Sequence, residues 1–449
     1  MKFILIILIS NLFSQFTLYK GNDYLRFAGN VSIYYNHRFY LENEDNFKKN
    51  RFGLKDARFQ LKGELKQKLK YQIELDFAKF KGDTYIDEIE EIVEDELFKI
   101  SEKMEFESFL IDAYMLFKFN SIGSSATFGY FKLPFTRNSL GRSKDSPWAD
   151  RADLIEDALN RRDLGVMITQ KLFSDRLRIN LGLFNGRGDI TKNNDSSGKF
   201  EYISRIEYDF GFNLNPKYGK LILPGRLKIA DRIDIRRTPI PTIGIGMSYK
   251  YADKEENIVY DDDHLWPLVV NGKKESIGFD FGMMYRGLSI QFDIYNKKIT
   301  PSNHALDTGY FIDSNNVGQG PDGIINSFTD DITDSWRLWR VTEYNPSFNF
   351  GGKLLHINYF FKKLSLVTSF RWEEINPNSL IIDNWNTNLG LGICYMIHGM
   401  NTAIKFQFIK RLPEGMRMLD YITNNMKYNS DLDPWKESEM RITMQFLIR

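Results

Sequence analysis

The chain has 449 residues, 15 % of them aromatic, and a net charge of +1 from 60 basic and 59 acidic side chains. That balance removes any global case for a nucleic-acid partner, and the single cysteine, Cys394, excludes both an internal disulfide and a cysteine metal centre. A soluble chain of this length would divide into two or three domains, yet no shift in composition marks a boundary, and past the N-terminus no apolar run reaches the roughly 18 residues of a membrane helix.

Met1-Lys2 precedes a largely apolar run from Phe3 to Phe13. A short positive region followed by a core of this length reads as a signal peptide, assigned to residues 1–17 with cleavage near Ser14 or Thr17. Residues 18–449 read as one domain.

Short alternating segments then follow to the C-terminus. Tyr71, Ile73, Leu75 and Phe77 share one face of a strand, and Gln72, Glu74 and Asp76 share the other. The last segment, Met440 to Ile448, alternates in the same way. Strands are expected at 24–40, 51–62, 67–80, 107–119, 125–134, 162–172, 176–186 and 199–212. The second half adds 241–252, 276–286, 288–299, 347–361, 363–375, 386–397, 402–411 and 438–448. About sixteen segments of roughly 10 residues, each with one apolar and one polar face, predict an all-β transmembrane antiparallel barrel.

The connections sort by length. Those at 81–106, 135–161, 253–275, 300–346 and 412–437 are long. Gly63 to Lys66, Asn120 to Ser124, Phe173 to Asp175, Gly287, Lys362 and His398 to Asn401 are tight. Long loops on one side and short turns on the other is the asymmetry of an outer-membrane barrel. Residues 213–240 break the pattern, as a long turn or as a further strand that would raise the count to 17 or 18. Residues 81–106 read as an acidic amphipathic helix, because Ile86, Ile89, Val93, Leu97 and Ile100 recur at helical spacing. Asp313 to Gly323 has oxygen ligands but not the spacing of a calcium loop, and reads as a surface loop. Cys394 reads as a small packed residue.

Alternation also names the inner face. Arg or Lys facing lipid at the bilayer midplane costs about 2–4 kcal/mol, so such residues are expected to point inward. Arg176, Arg178, Arg205, Arg286, Arg371 and Lys405 are inward by this rule, as are the acids Glu74, Asp76, Glu207, Asp209 and Asp280. The loop at 135–161 is basic, with Arg137, Arg142, Lys144, Arg151, Arg161 and Arg162, and is long enough to fold inward and narrow a lumen. Arg suits phosphate-like oxyanions through its planar fork of donors.

Gly129-Tyr-Phe131-Lys132-Leu-Pro134-Phe135-Thr-Arg137-Asn-Ser-Leu140 resembles the Gly-x-Phe-Lys-x-Pro-Phe-Ser-Arg segment of the phosphate-selective porin O/P family. Arg162-Asp163-Leu-Gly165-Val166 is similar to that family's Arg-Asp-x-Gly-Val, and Arg58 to Gly63 with Asp112 to Tyr114 fit upstream. The resemblance implies a 16-stranded, homotrimeric outer-membrane porin of a diderm bacterium, anion-selective through inward loops and basic residues. It carries over Lys132, Arg137 and Arg162 as motif residues, as loop anchors or as ion contacts.

The expected function is passive diffusion of small anionic, phosphate-like solutes through a barrel seated in outer-membrane lipid, with no cofactor and no metal. The alternative is a structural or adhesive barrel whose long loops bind a partner. An enzyme is not expected: His37, His264, His304, His356 and His398 sit in no metal or nucleophile motif. Candidate pore-lining residues are Lys132, Arg137, Arg142, Arg162, Arg178, Arg205, Arg286, Arg371 and Lys405.

Overall fold

The computed structural model describes residues 17–39, 50–79, 109–119, 123–156, 161–173, 175–186, 198–210, 233–254, 272–301, 347–376, 385–412 and 438–448, with short pieces at 82–86, 92–93, 96–97, 102–106, 213–214, 221–222, 379 and 417. The proposed signal peptide (Thr17 apart), the candidate loop Asp313 to Gly323, His264 and His304 lie outside the described residues.

Among the described residues a short strand, Thr17–Lys20, pairs antiparallel with the first of sixteen strands that close the barrel. The sixteen begin with β1 (Asp23–Phe39), β2 (Asn50–Leu65), β3 (Leu69–Asp76), β4 (Leu110–Phe119), β5 (Ser124–Lys132), β6 (Arg162–Leu172), β7 (Leu177–Phe184) and β8 (Glu201–Phe210). The second half comprises β9 (Thr242–Lys254), β10 (Gly272–Tyr285), β11 (Leu288–Pro301), β12 (Phe348–Phe361), β13 (Leu366–Asn376), β14 (Asn386–His398), β15 (Thr402–Arg411) and β16 (Ser438–Ile448). Each strand pairs antiparallel with the next in sequence. β16 pairs with β1, from Gly29 opposite Ile448 to Phe39 opposite Ser438, and this closes the sheet. Closure satisfies every strand's backbone donors and acceptors, which a lipid environment demands.

The two faces separate as alternation predicts. Leu181, Ile206, Met247 and Leu391 are 54–60 % exposed and point outward. Their neighbours Asn180, Arg205, Glu207, Ser248 and Asp280 are buried on the inner face. Ile206 and Arg205 are adjacent in sequence and opposite in environment, which is what a period of two does to a sheet between lipid and lumen.

One expectation needs correction. Residues 81–106 are not helical where described: Gly82–Ile86 pairs antiparallel with Glu102–Phe106, and Ile92–Val93 with Glu96–Leu97. The β-branched Thr84, Ile86, Ile92 and Val93 favour extended backbone, and that preference overrides the helical spacing. The ambiguous stretch 213–240 adds no barrel strand among the described residues. Asn213–Leu214 and Leu221–Ile222 pair only with each other.

Tight turns close the short side. Tyr285 pairs with Leu288, so Arg286 (φ 48°) and Gly287 (φ 98°) are the two central residues of a hairpin. Both have positive φ, the geometry of the turn that matches strand twist.

Candidate functional site

The connection from β5 to β6 runs through the inside of the barrel. Leu133, Phe135, Arg137, Asn138, Trp148, Ala149, Ala152, Leu154 and Ile155 are all nearly fully buried. Within it lie a one-turn helix α1 (Arg137–Leu140), a 3₁₀ turn (Ser143–Asp145) and a second one-turn helix α2 (Asp153–Glu156). Thr136 and Ser139 form a reciprocal capping box that starts α1. Lys132 Nζ donates to the carbonyls of Leu140 and Gly141 at 2.9 and 2.8 Å, and so ties off its end.

The contacts of this loop show that it crosses the lumen. At one end Arg137 Nε donates to Asp280 on β10 at 3.3 Å, and Arg137 lies 3.8 Å from Asp209 on β8. The backbone N–H of Asn138 donates to Asp293 on β11 at 3.3 Å. Further along, Trp148 lies under the Arg371 guanidinium of β13 at 4.8 Å and beside His356 of β12 at 5.8 Å. The N–H of Asp150 donates to Gln407 on β15 at 3.0 Å, and its carboxylate takes Lys55 of β2 at 2.6 Å and pairs with Arg441 of β16. Lys405 donates to the Ser143 carbonyl at 3.4 Å, and Gln445 to that of Lys144 at 3.0 Å. One segment reaches the inner face of strands around more than half of the wall.

Glycines on the inner wall are the seats for this loop. A Cβ at Gly244 would lie 2.6 Å from an Arg137 guanidinium nitrogen, and one at Gly278 would lie 2.8 Å from the Phe135 ring. One at Gly390 or Gly392 would lie 3.1–3.2 Å from the Trp148 ring. Gly246 leaves room for the Arg205 guanidinium, and Gly352 for Leu154. A Cβ at Gly278 or Gly352 would collide with the loop, and one at Gly390 or Gly392 would press on the Trp148 ring, so these seats favour the missing Cβ.

The loop's anchors on β8 and β10–β16 are of both signs: the carboxylates of Asp209, Asp280 and Asp293, the cations Arg371, Lys405 and Arg441, and the amides Gln407 and Gln445, with Lys55 added from β2. The wall it leaves uncovered is different. A cavity of about 540 Å³ lies between Pro134 and Leu140 of the loop and the inner faces of β3–β8, lined by Lys70, Lys118, Lys132, Lys171, Arg178, Thr127, Thr169, Asn180 and Glu207. Five cations therefore face one lining carboxylate. Glu64 pairs with Lys118 and, at 3.4 Å, with Lys70; Asp175 pairs with Lys171 at 3.6 Å and with Arg178 at 3.1 Å. Both carboxylates lie towards the short-turn ends of the strands. The lysine pairs are 37–41 % exposed at the lysine, so they add little stability. With Glu64 and Asp175 counted, the wall keeps five cations against three carboxylates.

The nine candidate residues divide accordingly. Lys132 and Arg178 line the cavity. Arg162 is the register partner of Lys132 and donates to Asp112 at 2.9 Å. Arg142 is half-buried at the entry to the 3₁₀ turn. Arg137, Arg205, Arg371 and Lys405 are nearly fully buried and hold or seat the loop. Arg286 is not on the inner wall: it is exposed in the β10–β11 turn, over the Tyr285 ring at 5.1 Å. Parity does not carry past the last strand residue, which is why alternation misplaces it.

Sequence reasoning missed Lys70, Lys118 and Lys171, and a second group at the long-loop end of the barrel. There Lys250, Lys274 and Lys297 stand on neighbouring strands: Lys250 and Lys297 both lie opposite Ser276, and Lys274 is two residues further along. Glu201 pairs with Lys250 at 3.1 Å. Extending the parity of Ser248, Asp280 and Asp293 toward the strand ends would have placed all three inward. Among the described residues no group of three or more His, Cys, Asp or Glu is placed to hold a metal ion.

Residues 27–210 match the family described as phosphate-selective porin O and P. No curated protein sequence matches the chain. Among solved structures, the fold is similar to that of the outer-membrane expressed OmpT of Vibrio cholerae, with TM-score 0.50, 10 % identity, and 96 % of this chain and 100 % of that one covered. It is also similar to Salmonella typhi OmpF in complex with daunomycin, with TM-score 0.52, 9 % identity, and 96 % and 100 % covered. The family resemblance carried by Gly129 to Leu140 and Arg162 to Val166 is borne out, and the fold is that of a porin.

Proposed function

We propose that this porin-type barrel of the Gram-negative outer membrane, which carries the phosphate-selective porin segment over residues 27–210, passes small anionic, phosphate-like solutes by passive diffusion. The observation that carries the reading is the excess of cations on the part of the lumen that the inward loop leaves open. The carboxylates of Asp209, Asp280, Asp293 and Glu373 are occupied by the inward loop. The open space beside it is lined by Lys70, Lys118, Lys132, Lys171 and Arg178. A cavity whose lining carries an excess of one sign of charge concentrates the opposite ion.

The roles follow from position. Lys250, Lys274 and Lys297 draw anions in at the long-loop end. Loop 133–156 narrows the path and confines it to the β3–β8 side. There Lys and Arg side chains, with the hydroxyls of Thr127 and Thr169, replace part of the ion's hydration. Lysine ammoniums bind as mobile point charges, so an anion held there is also released. Lys132 has two jobs: it fixes the loop through Leu140 and Gly141, and it faces the cavity.

The protein is expected to work as a homotrimer in outer-membrane lipid, which chemical cross-linking in native membranes tests. The functional test is the reversal potential of the purified protein in a planar bilayer under a salt gradient, repeated with phosphate added. Anion selectivity with block by phosphate supports the reading. Unselective conductance leaves a general diffusion pore. A folded barrel without conductance would turn attention to the long loops as a partner-binding surface.

A further inference from the structure

Connections on the short-turn side of such a barrel are normally brief and solvated. Residues 233–238, between β8 and β9, depart from this: Ile233 and Asp234 are buried, and Ile235, Arg236 and Arg237 after them are exposed. Ile233 is buried in one apolar cluster with Phe360, Val367, Cys394, Met396 and Ala403, which are inner-face residues at the short-turn ends of β12–β15. The Asp234 N–H donates to Ser289 Oγ on β11 at 2.8 Å. The Asp234 carboxylate accepts from the Thr238 N–H at 2.9 Å, the Thr238 hydroxyl at 2.7 Å and the Gly287 N–H at 2.8 Å. The Arg286 N–H in turn donates to the Thr238 carbonyl at 2.8 Å. Asp234 is 2 % exposed with these donors in place, so Ile233 and Asp234 anchor the segment in the interior while residues 235–237 stand exposed at the mouth.

The geometry places this segment across the mouth of the barrel. It is tied to the β10–β11 turn at one end and seated on β12–β15 at the other. That is the side of the lumen that loop 133–156 fills from the opposite direction.

We propose that residues 233–238 form a second, fixed constriction at the short-turn mouth, which sets the size limit there and directs solute along the β3–β8 wall. Ile233 is its apolar key and Asp234 its tether. The proposal rests on the channel reading for its consequence, but not for its placement.

The test uses the full chain and its single native thiol as a reporter. Cys394 lies fully buried in the cluster that Ile233 completes. In the folded parent it is expected to resist a hydrophilic maleimide. The variant Ile233→Ser/Asp234→Ala loses both anchors, so Cys394 becomes reactive and single-channel conductance rises roughly 1.5-fold or more. The milder Asp234→Asn, which keeps the side chain's volume, should give a smaller change in the same direction if the double variant does not fold. Rapid labelling of Cys394 in the folded parent overturns the proposal, as does a folded double variant with unchanged labelling and unchanged conductance. A parent that does not conduct sinks the channel reading instead, and the labelling then decides the placement alone.

Discussion

Arg205 on β8 and Asp280 on β10 form a two-pronged ion pair, at 2.6 and 3.1 Å, across the strand that separates them. The pair passes over Gly246 of β9, and Arg137 of the inward loop joins it on the same carboxylate at 3.3 Å. Asp280 is thus the common counter-ion of two buried guanidiniums. Replacing it by alanine leaves both without their main partner, and breaking a buried pair in this way costs about 3–5 kcal/mol. Asp280→Ala should lower the unfolding temperature of the purified barrel and make its conductance noisy, as the end of the loop comes free. An unchanged melt would show that Glu207 and Asp209 suffice.

The glycine seats make a sharper prediction about the loop than about the barrel. Gly390→Leu drives a side chain into the Trp148 ring, and overpacking of this kind costs about 1–3 kcal/mol. The barrel has its sheet to hold it, so the loop should yield first. Conductance should rise with little loss of folded protein. Leu391→Ala, one residue away but 60 % exposed on the outer face, should leave conductance unchanged.

The outer face is tested by a misplaced charge. Ile206 is 54 % exposed between Arg205 and Glu207, both of which point inward. Ile206→Arg puts a guanidinium into lipid and should cost about 2–4 kcal/mol if the residue sits near the midplane. Asn180→Arg, on the inner face, should fold normally. Equilibrium unfolding from lipid vesicles compares the two, and equal stabilities would contradict the assignment of faces.

Much of this was legible in the sequence because alternation is a local signal with a strong physical cause. It placed Arg178, Arg205, Arg371 and Lys405 on the inner face, and it sorted long loops from short turns. It failed where the period stops: Arg286 follows the last strand residue and enters a turn with φ 48°. It was silent on what a buried arginine is for. Arg137 and Arg205 look in sequence like ion contacts, yet their partners Asp209 and Asp280 are about 70 to 140 residues away along the chain and meet them only in the closed barrel. The inner-face glycines carried a usable signal, since Gly244-Ile-Gly246 and Gly390-Leu-Gly392 repeat at the period of a strand, where a side chain is otherwise expected. The lysines of the uncovered wall could not be told from ordinary lumen residues until the loop was seen to leave them uncovered.

The most direct test of the central claim is the reversal potential of Lys118→Glu/Lys171→Glu/Arg178→Glu beside that of the parent, each in a planar bilayer under the same salt gradient. All three residues line the cavity and none anchors the loop. If anions travel along the β3–β8 wall, the parent is anion-selective and the variant reverses sign toward cations with its conductance largely kept. A variant that folds, conducts and keeps the parent's selectivity would contradict the account, because the ions would then be passing elsewhere.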